Sequence, residues 1–333
     1  MPSGENGDVP ARTPVPPPVT LGDVLVIACP GQGSQTPGML TPWLEHPGVG
    51  DLVGQLSEAT SLDLRAHGTT SDDETIKDTA IAQPLLVAAG LTCAHAIFGD
   101  GSEADRLGGA NLVAGHSVGE ITAAALTGVL SAQDAMTFVA LRGRGMAQAA
   151  AITPTGMSAV LGGDRDEVLT AIEAAGLTPA NVNAAGQIVA AGTLEQLAVL
   201  GQQPPTRSRV IPLKVAGAFH TEHMAAAVAA LTTAAASLTP HDPTIPLLTN
   251  QDGRVVANGR EFVNLLVEQV SNPVRWDLCM EQMADLGVTG FLELLPAGTL
   301  GGLAKRALKG VEIVTVKSPD DIDAARSLAE RHS

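Results

Sequence analysis

Asn111-Leu-Val-Ala-Gly115 is a short apolar run that meets His116-Ser-Val-Gly119 without a spacer, and Glu120-Ile-Thr-Ala-Ala-Ala-Leu126, rich in helix formers, follows at once. The run reads as a buried strand, the four residues after it as a sharp corner, and the alanine-rich piece as a helix. Strand, corner, helix is the register of an α/β sheet. Within it, Gly115-His-Ser-Val-Gly119 matches the nucleophile-elbow pattern G-x-S-x-G. Glycines two positions either side of the serine let strand and helix pass closely. The serine Oγ then stands proud of the corner, with a helix N-terminus behind it to favour negative charge. The pentapeptide alone is a weak signal, since an ordinary Gly/Ser turn has the same composition. The strand before and helix after supply the context that makes Ser117 a candidate nucleophile.

Outward from the corner, the same alternation continues. Upstream, Asp23-Val-Leu-Val-Ile-Ala28 predicts a buried strand running into the glycine-rich turn Pro30-Gly-Gln-Gly33, with helices around Asp51–Thr60 and Thr79–Phe98. Downstream, Ala132–Ala151 predicts a helix. The middle changes character: strand, helix, hairpin, helix and strand between Gly156 and Leu213 give a β-α-β-β-α-β order, expected to form a small ferredoxin-like unit. Thr221–Leu238 reads as one long helix, and α/β alternation resumes to the strand Glu312–Thr315. The expected class is α/β, a hydrolase-like large subdomain with a mainly parallel sheet (22–152 and 216–333) carrying an inserted ferredoxin-like α+β subdomain (153–215). The proline-rich tail 1–21 has no apolar h-region and is expected to be disordered.

Composition narrows the function classes. The 333-residue chain is 45% hydrophobic but only 2% aromatic, with no Tyr, which argues against a platform of stacked bases. Its formal charge of −16 repels a phosphate backbone, so an anionic partner must meet a local basic patch. Arg275, Lys305, Arg306 and Lys309 are candidates. Cys29, Cys93 and Cys279 are odd in number and far apart, as expected for free thiols in a reducing compartment. The apolar run through Thr79–Phe98 is interrupted by Gln83, Pro84 and His95, and is expected to be core, not a membrane span. These features together predict a cytoplasmic protein without membrane or nucleic-acid partners.

A serine nucleophile at neutral pH needs a base. Among eight histidines, His95 falls in an apolar helix, and His116 adjoins the serine on a tight turn where neighbours usually diverge. His220, in Ala216-Gly-Ala-Phe-His-Thr-Glu-His-Met224, sits where a small-residue loop meets a helix, a good place to present an imidazole to a cleft. His220 and His223 have spacing suited to a shared metal, but no third ligand is evident, so no metal is expected.

In order along the chain, Pro30-Gly-Gln-Gly-Ser-Gln35, Gln83-Pro84, Gly115-His-Ser-Val-Gly-Glu120, Arg142-Gly143 with Met146, and Asn183 with Gln187-Ile-Val-Ala-Ala-Gly192 form a set that Gly217-Ala-Phe-His220 and Asn272-Pro-Val-Arg-Trp276 complete. This ordered set resembles malonyl-CoA:acyl carrier protein transacylases and the related acyltransferase domains of polyketide synthases. The resemblance implies Ser117 as the acylated nucleophile and His220 as general base. It implies a backbone carbonyl at about Gln269 orienting the imidazole, and the amides of Gln32 and Val118 as oxyanion hole. It picks Arg142 over its neighbour Arg144 to hold a malonyl carboxylate, which a guanidinium fork grips bidentately. It makes Gln83, Asn183 and Phe219 the lining of the acyl pocket, Phe219 leaving little room for an α-methyl group. Acyl carrier protein and malonyl-CoA are the implied partners of a monomer, coenzyme A thioester is a substrate, and no cofactor is implied. Cys29 and Leu295-Pro-Ala-Gly298 depart from the family's usual residues. Two rivals stand beside this reading: a serine esterase or thioesterase, which shares G-x-S-x-G, and a non-catalytic carrier-docking subunit.

Overall fold

The structure, a computed structural model, describes residues 22–99 and 107–333; the tail expected to be disordered lies outside them. Ten strands in two sheets organise the described residues. In chain order they are β1 Leu25–Cys29, β2 Leu112–Gly115, β3 Thr155–Gly162, β4 Thr178–Ala184, β5 Gln187–Thr193, β6 Ser208–Pro212, β7 Leu247–Leu248, β8 Val255–Val256, β9 Gly290–Glu293 and β10 Glu312–Thr315.

The larger sheet has the order β10-β9-β1-β2-β7-β8 and is parallel except for the β7–β8 pair. Along β1, Leu25, Ile27 and Cys29 pack into one apolar cluster, while Val26 and Ala28 pack into a second on the opposite face. Alternate side chains point to opposite faces, so a strand covered on both sides must be apolar at every position. That is why β1 and β2 are legible as unbroken apolar runs. The helix Thr79–Phe98 is long and apolar enough to cross a membrane, but 83% of its most apolar window is buried within the fold.

The smaller sheet, β4-β5-β3-β6, is wholly antiparallel and with the helices Arg165–Ala174 and Leu194–Gln202 has the β-α-β-β-α-β order of a ferredoxin-like unit. Its two faces have separate fates. Val160, Val182, Ile188 and Ala190 face the two helices and form their own core. Met157, Ala159, Asn181, Asn183, Gln187 and Val189, displaced by one residue along the same strands, line a cavity against the larger sheet's carboxyl edge.

Several elements differ from expectation. The region expected as one helix from Thr221 begins as a 3-10 turn, Glu222–Met224, and becomes α-helical only at Ala225–Ser237, because Thr221 caps the turn by accepting from His223 N. Helices Thr299–Ala307 and Ile322–His332 also form where none was expected.

Candidate active site

β1 and β2 are neighbours whose last paired residues are Cys29 and Gly115, so both glycine-rich turns leave the sheet at the same edge. The His116 amide donates to the Cys29 carbonyl at 2.9 Å and ties the two exits together. A Cβ on Gly119 would lie 2.1 Å from the Cys29 oxygen, and one on Gly115 would lie 2.1 Å from the Gly119 carbonyl carbon. No side chain fits at either position, which is the steric reason for glycine at both ends of the elbow.

Ser117 itself occupies left-handed backbone, φ +53°, as does His220, φ +61°. Such conformations are costly for non-glycine residues and persist only where surroundings hold them. At Ser117 the holder is Asn250, fully buried just beyond β7. Its Oδ1 accepts from the Ser117 amide at 2.8 Å, and its Nδ2 donates to the Gly115 carbonyl at 2.7 Å.

Ser117 Oγ and His220 Nε2 lie 2.7 Å apart, and His220 Nδ1 lies 2.8 Å from the backbone carbonyl of Gln269. A carbonyl only accepts, so Nδ1 carries the proton and Nε2 is left to accept from the serine. Burial, then the nearby charge of Arg142, lowers the histidine's pKa to about 3, which keeps the imidazole neutral at pH 7.

Ser117, His220, Gln32, Val118, Gln83, Asn183 and Phe219 all line one cavity of about 390 Å³. Among the described residues, the amides of Gln32 and Val118 donate to no protein acceptor. Asn183 Oδ1 lies 2.8 Å from His116 Nε2, and the His116 ring meets Trp276 edge-on at 5.7 Å. His116 therefore turns away from Ser117 toward the small sheet, as its place on the corner implied.

Arg142 sits one layer deeper. It is buried and is not part of the cavity wall; Nη1 donates to Gln83 Oε1 at 2.7 Å and Nη2 to Gln269 Oε1 at 2.8 Å. Its helix, Ala132–Ala150, crosses Thr79–Phe98 closely enough that a Cβ on Gly143 would lie 2.8 Å from the Thr79 carbonyl, and this approach brings Gln83 to Arg142. Among the described residues no carboxylate pairs directly with Arg142. The Glu120 charge works to hold it protonated, and desolvation still pulls the guanidinium down to about 10.

The geometry sets a serine hydroxyl against a neutral imidazole, with free amides beside them and a buried cation behind the pocket. An acyl transferase domain family model matches residues 26–326. The chain belongs to that family. As a member it is an acyltransferase, and its relatives narrow the group. It is 50% identical over 306 residues to the malonyl CoA-acyl carrier protein transacylase of Mycobacterium tuberculosis, covering 92% of this chain and 100% of the relative. The crystal structure of MCAT from Mycobacterium tuberculosis superposes with a TM-score of 0.86 at 51% identity, over 91% of this chain and 99% of that one. A type II PKS acyl-carrier protein in complex with its malonyl-transacylase gives a TM-score of 0.85 at 28% identity, over 91% and 99% of the two chains.

Two residues of this acyltransferase's site escaped the reading of the sequence. Glu120 is buried on the first turn of the elbow helix, where Oε1 accepts from the Asn250 amide at 2.6 Å and Oε2 accepts from Gln269 Nε2. Burial pushes its carboxyl up, while the hydrogen bonds it accepts and the Arg142 charge pull it back toward the ionised form. Neither oxygen is spent on His220, whose Nδ1 is oriented from behind by the Gln269 carbonyl. Asn250 is the other. A charged residue opening a helix of Ile, Ala and Leu was a readable signal for Glu120; Asn250, in the turn after a two-residue strand, left none. Of the basic candidates, Arg275 is committed to Asp277 through two hydrogen bonds at 2.9 Å, while Lys305, Arg306 and Lys309 stay exposed, Arg306 touching Gln187 at the cavity. Among the described residues no cluster of three metal-ligating side chains occurs, and the three cysteines are buried and free.

Proposed function

We propose that this chain is a malonyl-CoA:acyl carrier protein S-malonyltransferase that works by ping-pong transfer through a malonyl ester on Ser117. His220 Nε2 takes the Ser117 Oγ proton as the oxygen attacks the thioester carbonyl. The tetrahedral oxyanion forms against the Gln32 and Val118 amides. The carbon–sulfur bond then breaks, the imidazolium returns its proton to the coenzyme A sulfur, and the free thiol leaves. The carrier's phosphopantetheine thiol gives its proton to His220, attacks the ester, and regenerates the serine hydroxyl. As written, the reaction uses no metal or redox cofactor.

The observation that carries the reading is the 2.7 Å approach of Ser117 Oγ to an imidazole held from behind by a backbone carbonyl. Choice of a malonyl group rests on Arg142. A buried cation with only neutral amide oxygens in direct contact is costly to keep, and a substrate carboxylate replacing Gln83 Oε1 on Nη1 supplies the missing partner. The names of its relatives support the same substrate, and the carrier-bound neighbour supports an acyl carrier protein as acceptor. The product would serve fatty acid synthesis and, by likeness to that type II complex, polyketide assembly. Arg306, which touches Gln187 at the cavity, with exposed Lys305 and Lys309 close to it in the chain, gives an acidic carrier a landing point on an otherwise acidic protein. We read the enzyme as a cytoplasmic monomer with no membrane or nucleic-acid partner.

The test is intact-mass spectrometry. Incubation with malonyl-CoA should add one malonyl group to the wild type and none to Ser117→Ala, and holo-carrier protein should remove it. Release of free malonate faster than transfer to the carrier would favour the esterase reading and overturn this one; no adduct at all would leave only a docking role.

A further inference from the structure

The Gln269 carboxamide is fixed at both ends. Its Oε1 accepts from Arg142 Nη2 at 2.8 Å, while its Nε2 donates to Glu120 Oε2, and more weakly to the Ser117 carbonyl at 3.2 Å and Asn250 Oδ1 at 3.4 Å. A carboxamide has one accepting and one donating end, so its orientation is decided by what faces it. Turned around, it would set an NH2 against the guanidinium and an oxygen against a carboxylate. Both Glu120 oxygens accept hydrogen bonds, from a backbone amide on one side and from Gln269 on the other. The proton transfers use only the Gln269 backbone carbonyl; its side chain and Glu120 have no part in them.

We infer that Glu120 is a specificity-positioning residue: acting through the Gln269 carboxamide, it aims the Arg142 guanidinium at the acyl pocket. The chain of contacts runs from a carboxylate on the elbow helix, through an amide beside the base, to a cation on the helix Ala132–Ala150. Without the carboxylate the amide keeps only the longer contacts to the Ser117 carbonyl and Asn250 Oδ1, its orientation is held less firmly, and the fork that meets a malonyl carboxylate loses the fixed acceptor on Nη2. This rests on the reading that Arg142 receives that carboxylate.

Glu120→Gln keeps volume and removes one acceptor. The Asn250 amide is backbone and cannot turn, so the introduced carboxamide would give its oxygen there and present its NH2 to Gln269, which must then reverse. The experiment measures acyl-enzyme formation from malonyl-CoA and acetyl-CoA on the wild type, E120Q, R142A and the double variant. The expected result is a fall of about tenfold or more in the malonyl-to-acetyl ratio for E120Q, the size of one charge-assisted hydrogen bond. The double variant should match R142A, because the two residues act in one chain. A purely structural role for Glu120 would slow both acyl groups together and leave the ratio as in the wild type; that result, with a lowered ratio in R142A, overturns the inference alone. An unchanged ratio in R142A removes the role of Arg142 and the inference with it, while leaving the serine chemistry intact. Gln269→Leu, which retains the backbone carbonyl, reads out the same link if E120Q does not fold, and a wild-type ratio there also overturns it.

Discussion

Asn250→Ala separates the support of Ser117 from the chemistry proposed for it. Asn250 is fully buried, and its side chain satisfies the Ser117 amide at 2.8 Å and the Gly115 carbonyl at 2.7 Å. Truncation orphans one donor and one acceptor in a water-poor corner. At about 1–3 kcal/mol for each buried group left unpaired, the variant should lose roughly 2–6 kcal/mol. With urea slopes of about 3 kcal/mol/M or more for a chain of this size, the unfolding midpoint should fall by about 1 M. Freed of that tether, Ser117 relaxes from φ +53° and its Oγ drifts from His220. A displacement of about 1 Å can cost on the order of a hundredfold in rate. The assay is acylation from malonyl-CoA and acetyl-CoA followed by intact mass, beside a urea titration watched by circular dichroism. Both acyl groups should slow by the same factor, unlike the selective loss expected from E120Q. A midpoint and both rates indistinguishable from the wild type would refute the claim that Asn250 holds the elbow.

Two further outcomes follow from the site. Arg142 is the second cause, after burial, of the lowered proton affinity of His220, so Arg142→Ala should raise that affinity and move the acid limb of acetyl transfer to higher pH; a limb that stays put or moves to lower pH contradicts the assigned proximity. Phe219 is 6% exposed and lines the cavity, so Phe219→Ala should raise methylmalonyl relative to malonyl labelling by several-fold, about the worth of one methyl group admitted to an apolar pocket. An unchanged preference would mean that the ring packs the wall without setting the pocket's size.

What could be read from the chain was what the chain encodes locally. The elbow announces itself because strand, corner and helix are contiguous, and because Gly115 and Gly119 are imposed by contacts within a few residues and one neighbouring strand. The small sheet was legible for the same reason: its hairpin and crossovers are short, and its alternation of core and cavity residues has the period of a strand. The proposed base was different. Local reasoning gave a plausible loop for His220, and only the ordered set of motifs chose it. Arg142 was singled out the same way, but its depth was not legible, since nothing in the helix pattern says that Gln83 lies between it and the cavity. Glu120 and Asn250 act across separations of 130 and more positions and leave no periodic trace. The helix Thr299–Ala307 was missed because Gly301 and Gly302 depress its propensity; its start is fixed instead by buried Glu293, which accepts from the amides of Gly298, Leu300 and Gly301.

Ser117 and His220 both sit in left-handed backbone, where glycine or asparagine would rest more comfortably. At these two positions selection for turnover and selection for thermal robustness pull in opposite directions. A lineage released from the need to acylate its substrate would be expected to drift first at these positions, gaining heat tolerance as it lost the enzyme. Both are held there by partners far away in the chain, Asn250 for one and the Gln269 carbonyl for the other.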